Sequence, residues 1–215
     1  MKINKREFNQ LLKNNQLAIS LIGMSGIGKT YQSLHLKKIS FKHKCIDDLI
    51  AMNLVTGKTD IASWLGQPDS FGFETREKEY LEQEQIATQR ALRDINKNTV
   101  IDTTGSVIYL PKQIKKSLKK LTLIIYLQEN YALKQQLFKK YVTDPKPVIW
   151  GNKFNQQAGE NRLKALQRCY FTLLKFRAEK YKKLADIILP HQIINNKRYL
   201  SGRVFLDVIR NQLSD

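Results

Sequence analysis

Short apolar runs alternate along the chain with stretches in which apolar residues recur every three or four positions. Five runs read as strands: Leu17-Ala18-Ile19-Ser20-Leu21-Ile22, His43-Lys44-Cys45-Ile46, Asn98-Thr99-Val100-Ile101-Asp102, residues 121–127, and Asp186-Ile187-Ile188-Leu189, which Pro190 ends. The helical periods fall between them, over residues 30–38, about 74–96, 131–141 and 160–185, with Pro111 suited to the first turn of another. In the first long helix Leu81, Thr88, Leu92 and Ile95 form one stripe. In the second, Leu163, Leu166, Tyr170, Leu173, Leu174, Tyr181 and Leu184 do so. Phe8, Leu11 and Leu12 predict a short helix within residues 4–16, and Val204, Val208 and Leu213 a final one over 201–213. Strands alternating with helices predict an α/β fold, a parallel sheet covered on both faces. The expected organisation is an N-terminal helical extension (1–16), a main domain (17–190) and a C-terminal helical tail (191–215). Periodicity fails over residues 57–72 and 142–159; the second gap is long, basic and lid-like.

Between the first strand and its helix lies Gly23-Met24-Ser25-Gly26-Ile27-Gly28-Lys29-Thr30, which fits G-x-x-x-x-G-K-[ST] in the strand–loop–helix context that the pattern requires. Glycines let backbone N–H groups approach an anion, and the helix start adds its positive dipole end. Gly23, Ser25, Gly26, Ile27, Gly28, Lys29, Thr30 and Tyr31 are therefore the expected ATP-binding residues. Lys29 is placed at the β- and γ-phosphates and Thr30 on Mg²⁺. Asp47 and Asp48 open a helix just past strand two, at the edge where open α/β sheets bind ligands, although an aspartate there also serves as a helix cap. Asp102 ends strand three at the position of a metal-organising acid. Two arginines stand out. Arg76 sits in the first turn of a helix, where its charge opposes the dipole and calls for Glu79 or a ligand as partner. Arg177 lies on an apolar stripe, where a lone charge is costly to bury, so either an acid or a ligand anion must face it.

At 215 residues, with 37 basic and 19 acidic side chains, the chain carries a formal charge of +18. From Lys112 onward there are 22 basic and 7 acidic residues, so the excess is concentrated there. Lysine dominates and few aromatics interleave, which favours a solvated face over a nucleic-acid surface. No run approaches eighteen apolar residues, so no membrane span is expected. The start lacks the apolar core of a secretory signal, and Cys45 and Cys169 have no metal-ligand spacing; reduced thiols in a cytoplasmic protein are the expectation.

On these motifs the sequence resembles the shikimate kinases and their wider P-loop kinase group. Arg177-Ala178-Glu179-Lys180-Tyr181-Lys182-Lys183-Leu184-Ala185-Asp186 is similar to the family's R-x-x-x-Y-x-x-x-A-D stretch, Thr75 to Glu79 to its F-R-x-x-E, and Lys146-Pro147-Val148-Ile149 to its lid motif R-P-L-L. The resemblance implies a P-loop NTPase three-layer α/β/α sandwich with a five-stranded sheet in the order 2-3-1-4-5, a lid over 142–159, and phosphoryl transfer from Mg-ATP to a hydroxyl. It makes Asp47 the residue that orients the acceptor hydroxyl, Arg76 and Arg177 the grip on an anionic group of the acceptor, Gly105 a backbone contact, and Lys146 the lid cation. Three departures accompany it. Cys45 stands where the family has a magnesium-site aspartate, Thr104-Gly105-Ser106 replaces G-G-G, and Lys146 replaces an arginine whose planar fork a lysine does not reproduce. The expectation is that the acid of the metal site moved from strand two to strand three, leaving Mg²⁺ to Thr30 and Asp102. A nucleotide or polynucleotide kinase using the basic half, and a catalytically degenerate ATP-binding regulatory module, are the competing readings.

Overall fold

The computed structural model describes residues 1–54, 60–194 and 201–215. Five parallel strands, β1 (Ala18–Ile22), β2 (Lys42–Cys45), β3 (Thr99–Asp102), β4 (Leu123–Gln128) and β5 (Ile187–Pro190), form one sheet in the order β2-β3-β1-β4-β5. β1, β3 and nearly all of β4 are buried on both faces, which is why they read as continuous apolar runs. Edge strand β2 is Lys-His-Lys-Cys, and its Lys44 shows why a polar strand is tolerated there. The Lys44 ammonium donates to the carbonyls of Ala91 (2.8 Å) and Asp94 (2.6 Å), closing the carboxyl end of a helix where a cation complements the dipole.

Helices α1 (Lys5–Lys13), α2 (Lys29–Lys37) and α10 (Gly202–Asn211) cover one face. Phe8, Leu36, Phe205 and Ile209 pack there against Ile19, Leu21, Val100 and Ile125, so both terminal helices belong to this core layer. The other face carries α3 (Ile46–Leu54), α4 (Ile61–Leu65), α5 (Phe73–Arg93), α6 (Lys112–Leu121), α7 (Tyr131–Thr143) and α8 (Arg162–Leu184). A short α9 (His191–Ile194) follows β5.

Several boundaries differ from the sequence reading. Ile46 opens α3 instead of closing β2, because Asp47 and Asp48 favour the first turn of a helix. Leu121 ends α6 and β4 starts at Leu123. Pro111 is the cap before α6, not its first turn. The gap at 57–72, whose residues 57–59 lie outside the described residues, contains α4, capped by Asp60, which accepts from the Ala62 and Ser63 N–H groups. Leu163 is 52 % exposed and leaves the buried stripe of α8. In α10 the buried face is Phe205, Leu206 and Ile209, flanked by the partly buried Val204, Val208 and Leu213. Residues 144–161 hold no helix or strand, yet Val148, Ile149 and Trp150 are buried, the Trp150 ring lying 5.7 Å from Tyr141 and 6.1 Å from Tyr170. The segment is exposed at its start, over residues 144–146, and again over 155–159.

Candidate active site

The loop after β1 turns through left-handed backbone at Gly23, Gly26 and Gly28, with φ of 142°, 80° and 106°. Gly23 has a second requirement: a Cβ there would stand 2.8 Å from the Leu127 carbonyl oxygen, so β1 and β4 approach each other through it. Lys29 opens α2, and its ammonium turns back to donate to the carbonyls of Gly23 and Met24, both at 3.1 Å. Burial pushes the Lys29 pKa down, while Asp102 and Asp47 act against that fall. Thr30 is exposed beside it. The Ile27 N–H donates inside the loop to Met24 O, and the Tyr31 ring lies on the surface of α2, 4.3 Å from His35.

Asp102 and Cys45 are register partners across β3 and β2. The acid therefore stands at the level of the cysteine, one strand closer to the loop. Burial pushes the Cys45 thiol up to about 12, so it stays protonated and is a poor ligand for a hard cation. Asp102 is 2 % exposed, and its Oδ2 has no hydrogen-bond partner; neither has His43 Nε2, 3.9 Å away. An orphaned carboxylate oxygen at the end of the strand beside the loop fits a site for Mg²⁺, which takes few protein ligands and completes its shell with water and phosphate. Thr30 and Asp102 are the residues that would hold it.

Asp47, at the start of α3, accepts from the Tyr80 hydroxyl at 2.8 Å. Burial drives its pKa up, opposed by Lys29 and by that hydroxyl. The loop after β3 leans over the phosphate loop. A Cβ on Gly105 would meet Ser25 N and Arg177 Nη1, each at 3.1 Å, so a side chain there would push these groups apart. Arg177 is 1 % exposed. Its Nη2 donates to the Ile149 carbonyl, its Nη1 contacts Met24 Sδ at 3.3 Å, and its guanidinium carbon lies 5.5 Å from the centre of the Tyr109 ring. Its Nε has no partner, and among the described residues no carboxylate lies within ion-pair distance of it. The alternative of a protein acid facing Arg177 is thereby excluded among those residues.

Arg76 is not paired with Glu79: Nε donates to Leu65 O at 3.0 Å, and Nη2 to Phe71 O and Ser70 Oγ at 2.9 and 3.3 Å. Through these neutral loop oxygens it fastens residues 65–71 to the start of α5. Lys146 lies where residues 144–148 pass the loop after β1, lining a cavity of about 70 Å³ with Ser25 and Gly26; its ammonium stands 3.7 Å from Asp144.

Sequence reasoning missed Tyr80 and Glu84, one turn apart on the buried side of α5. Glu84 is wholly buried, and both hydroxyls of the Thr104-Gly105-Ser106 loop donate to it, Ser106 at 2.5 Å. The same signal that marked Arg177, a charged residue within an apolar stripe, was present. Burial raises the Glu84 pKa to about 7, against the pull of the two hydroxyls. Asp47 from α3 pushes it the same way as burial, and Arg177 from α8 opposes the rise. The folded chain thus holds a proton between the unfolded value near 4.5 and 7 that the unfolded chain has released. This contribution to stability is complete below about 4.5 and is lost, by about 3 kcal/mol, as pH rises through 7. Glu84→Gln is expected to flatten the stability curve between pH 5 and 8 by about that amount, read from urea midpoints; parallel curves for the variant and the parent would contradict the assignment.

No family model matches the chain, and no curated protein sequence matches it. Solved structures do. Shikimate kinase from Acinetobacter baumannii, in complex with shikimate, superposes with a TM-score of 0.64 at 18 % identity, over 96 % of this chain and 99 % of that one. Shikimate kinase from Bacteroides thetaiotaomicron gives 0.62 at 16 % identity over 91 % and 97 %. The enzyme from Aquifex aeolicus gives 0.59 at 15 % over 93 % and 100 %. The class that these superpositions define is one of fold, the three-layer α/β/α sandwich with a five-stranded parallel sheet. Within it the fold is that of the shikimate kinases, strand order included.

Proposed function

We propose that this chain is a kinase that transfers the γ-phosphoryl group of Mg-ATP to a hydroxyl on a small metabolite with an anionic group. The observation that carries the reading is the convergence at one sheet edge of four charged groups. The buried Lys29 ammonium feels Asp102, Asp47 and Arg177 together. Phosphoryl transfer asks a protein mainly for positioning and for charge stabilisation, and these groups supply both. Mg²⁺ would neutralise the β- and γ-phosphates when bound. The loop amides and Lys29 cradle the phosphates, Asp47 orients and deprotonates the acceptor hydroxyl, and Lys146 approaches from the lid. Arg177 takes the anionic end of the acceptor. Because Arg76 is engaged with the oxygens of Leu65, Ser70 and Phe71, one arginine and not two grips that end. This favours an acceptor richer in hydroxyls than in carboxylates, with shikimate itself as one member of the panel to be tried.

The test is ADP formation with Mg-ATP and a panel of hydroxy acids, sugar acids, polyols and nucleosides. Stimulation by one acceptor is the expected result. Nucleotide binding without stimulation by any of them would favour the degenerate ATP-binding module. The metal assignment is tested separately: Asp102→Asn is expected to raise the Mg²⁺ concentration required for ATP binding by about 10- to 100-fold, as loss of an outer-sphere ligand does, while Cys45→Ser leaves it unchanged. Equal Mg²⁺ requirements in the two variants would remove Asp102 from the metal site.

A further inference from the structure

Away from the phosphate loop, α6 and α8 enclose a concave cavity of about 240 Å³ into which six lysines project: Lys112, Lys115, Lys116, Lys119, Lys180 and Lys183. Spacings of three, four and seven residues bring the first four to one side of α6, and Lys180 and Lys183 are likewise three apart on α8. Ile108 and Leu184 provide an apolar floor. Lys115 is anchored by donating to Ile108 O at 2.9 Å and Lys119 by donating to Lys183 O at 3.1 Å, so two of the six are fixed parts of the wall. The other four are exposed, and their ammonium groups make no hydrogen bond among the described residues.

Among the described residues four lysines have a carboxylate within 4.0 Å: Lys5 with Asp215, Lys42 and Lys44 with Asp94, and Lys146 with Asp144. The groove has no such neutralisation. α6 contains no acidic residue, and none of the six ammonium groups has a carboxylate within 4.0 Å among the described residues. Burial, with the charge of Lys180 alongside, holds Lys115 below the usual lysine range. Six like charges facing one depression raise a local potential that an anion would relieve, and a concave, low-dielectric floor focuses it.

We infer that this groove is a second anion site, distinct from the phosphate loop, for a compact small molecule bearing three or more phosphate groups. The lysine row on α6 is about 10 Å long, from seven residues at 1.5 Å each. That length suits a multiply phosphorylated small molecule better than a polynucleotide tract. No aromatic side chain lines the cavity, so the stacking platform that single-stranded nucleic acid uses is missing.

Inositol hexakisphosphate is the probe, because its ring-borne monophosphates do not reproduce the linear triphosphate that the loop cradles. Calorimetric titration at physiological ionic strength is expected to give one-to-one binding, unchanged in Lys29→Met. Replacing Lys112, Lys116, Lys180 and Lys183 together by Gln is expected to weaken it by at least about tenfold, since each screened charge pair contributes modestly. These four are exposed and leave the anchoring Lys115 and Lys119 in place, so the fold is retained, as an unchanged thermal midpoint would verify. Equal affinity in the fourfold variant would overturn the site. So would a stoichiometry well above one, which marks diffuse surface charge, or tighter groove-dependent binding of a short oligonucleotide, which marks a nucleic-acid surface. Loss of binding in Lys29→Met alone would assign the probe to the phosphate loop.

Discussion

Lys29→Met is expected to lower acceptor-stimulated ADP formation by about 10³-fold or more, the scale on which a single preorganised charge acts in a dry site. The ammonium is buried against its own loop, with Asp47 and Asp102 close enough to oppose the fall in its pKa. Methionine keeps much of the length and the apolar packing of the stem while deleting the charge. The carbonyls of Gly23 and Met24 each lose a donor, at about 1–3 kcal/mol apiece if water does not replace it. Removing a desolvated cation offsets part of that cost. The thermal midpoint should therefore move far less than the activity. Activity within a few-fold of the parent, with the midpoint unchanged, would show that the loop does not handle the transferred group.

Asp47→Asn is expected to lower turnover by about 10²–10⁴-fold, the range of a positioned general base, with ATP affinity retained because the phosphate cradle is untouched. Burial raises the Asp47 pKa, which strengthens it as a base, and Lys29 and the Tyr80 hydroxyl keep it from rising further. A base is active when deprotonated, so the rate should climb with pH through this group's pKa, and the asparagine variant should lack that limb. Tyr80→Phe removes one hydrogen bond to the carboxylate and should shift the limb to higher pH without abolishing it. A variant that loses ATP binding and turnover together would mean that Asp47 serves the nucleotide and not the acceptor.

How much of this was visible in the order of residues depended on whether the signal was local. The phosphate loop, β1 and β4 announce themselves because glycine spacing and uninterrupted apolar runs are properties of neighbours in sequence. Arg177 was legible for a related reason: a charge on an apolar stripe has to be answered from elsewhere. Glu84 obeyed the same rule and was passed over because α5 is highly charged on its exposed side, which hid one acid on its buried side. Arg76 could not be assigned from sequence. Its partners are backbone carbonyls, and any residue supplies a carbonyl; only the path of residues 65–72 shows where these lie. Cys45 and Asp102 were readable as two separate residues, but their sharing one level of the sheet is a fact of register.

Arg76 and its neighbour Glu77 together give the start of α5 a mechanical role. Arg76 fastens residues 65–71, whereas Glu77 Oε1 accepts from the Trp150 and Gly151 N–H groups, at 2.5 and 3.1 Å, and so fastens the middle of the 142–159 segment. Two loops remote from each other in sequence are thus tied to adjacent residues of one helical turn. Substituting either residue is expected to loosen one loop while the other stays tied.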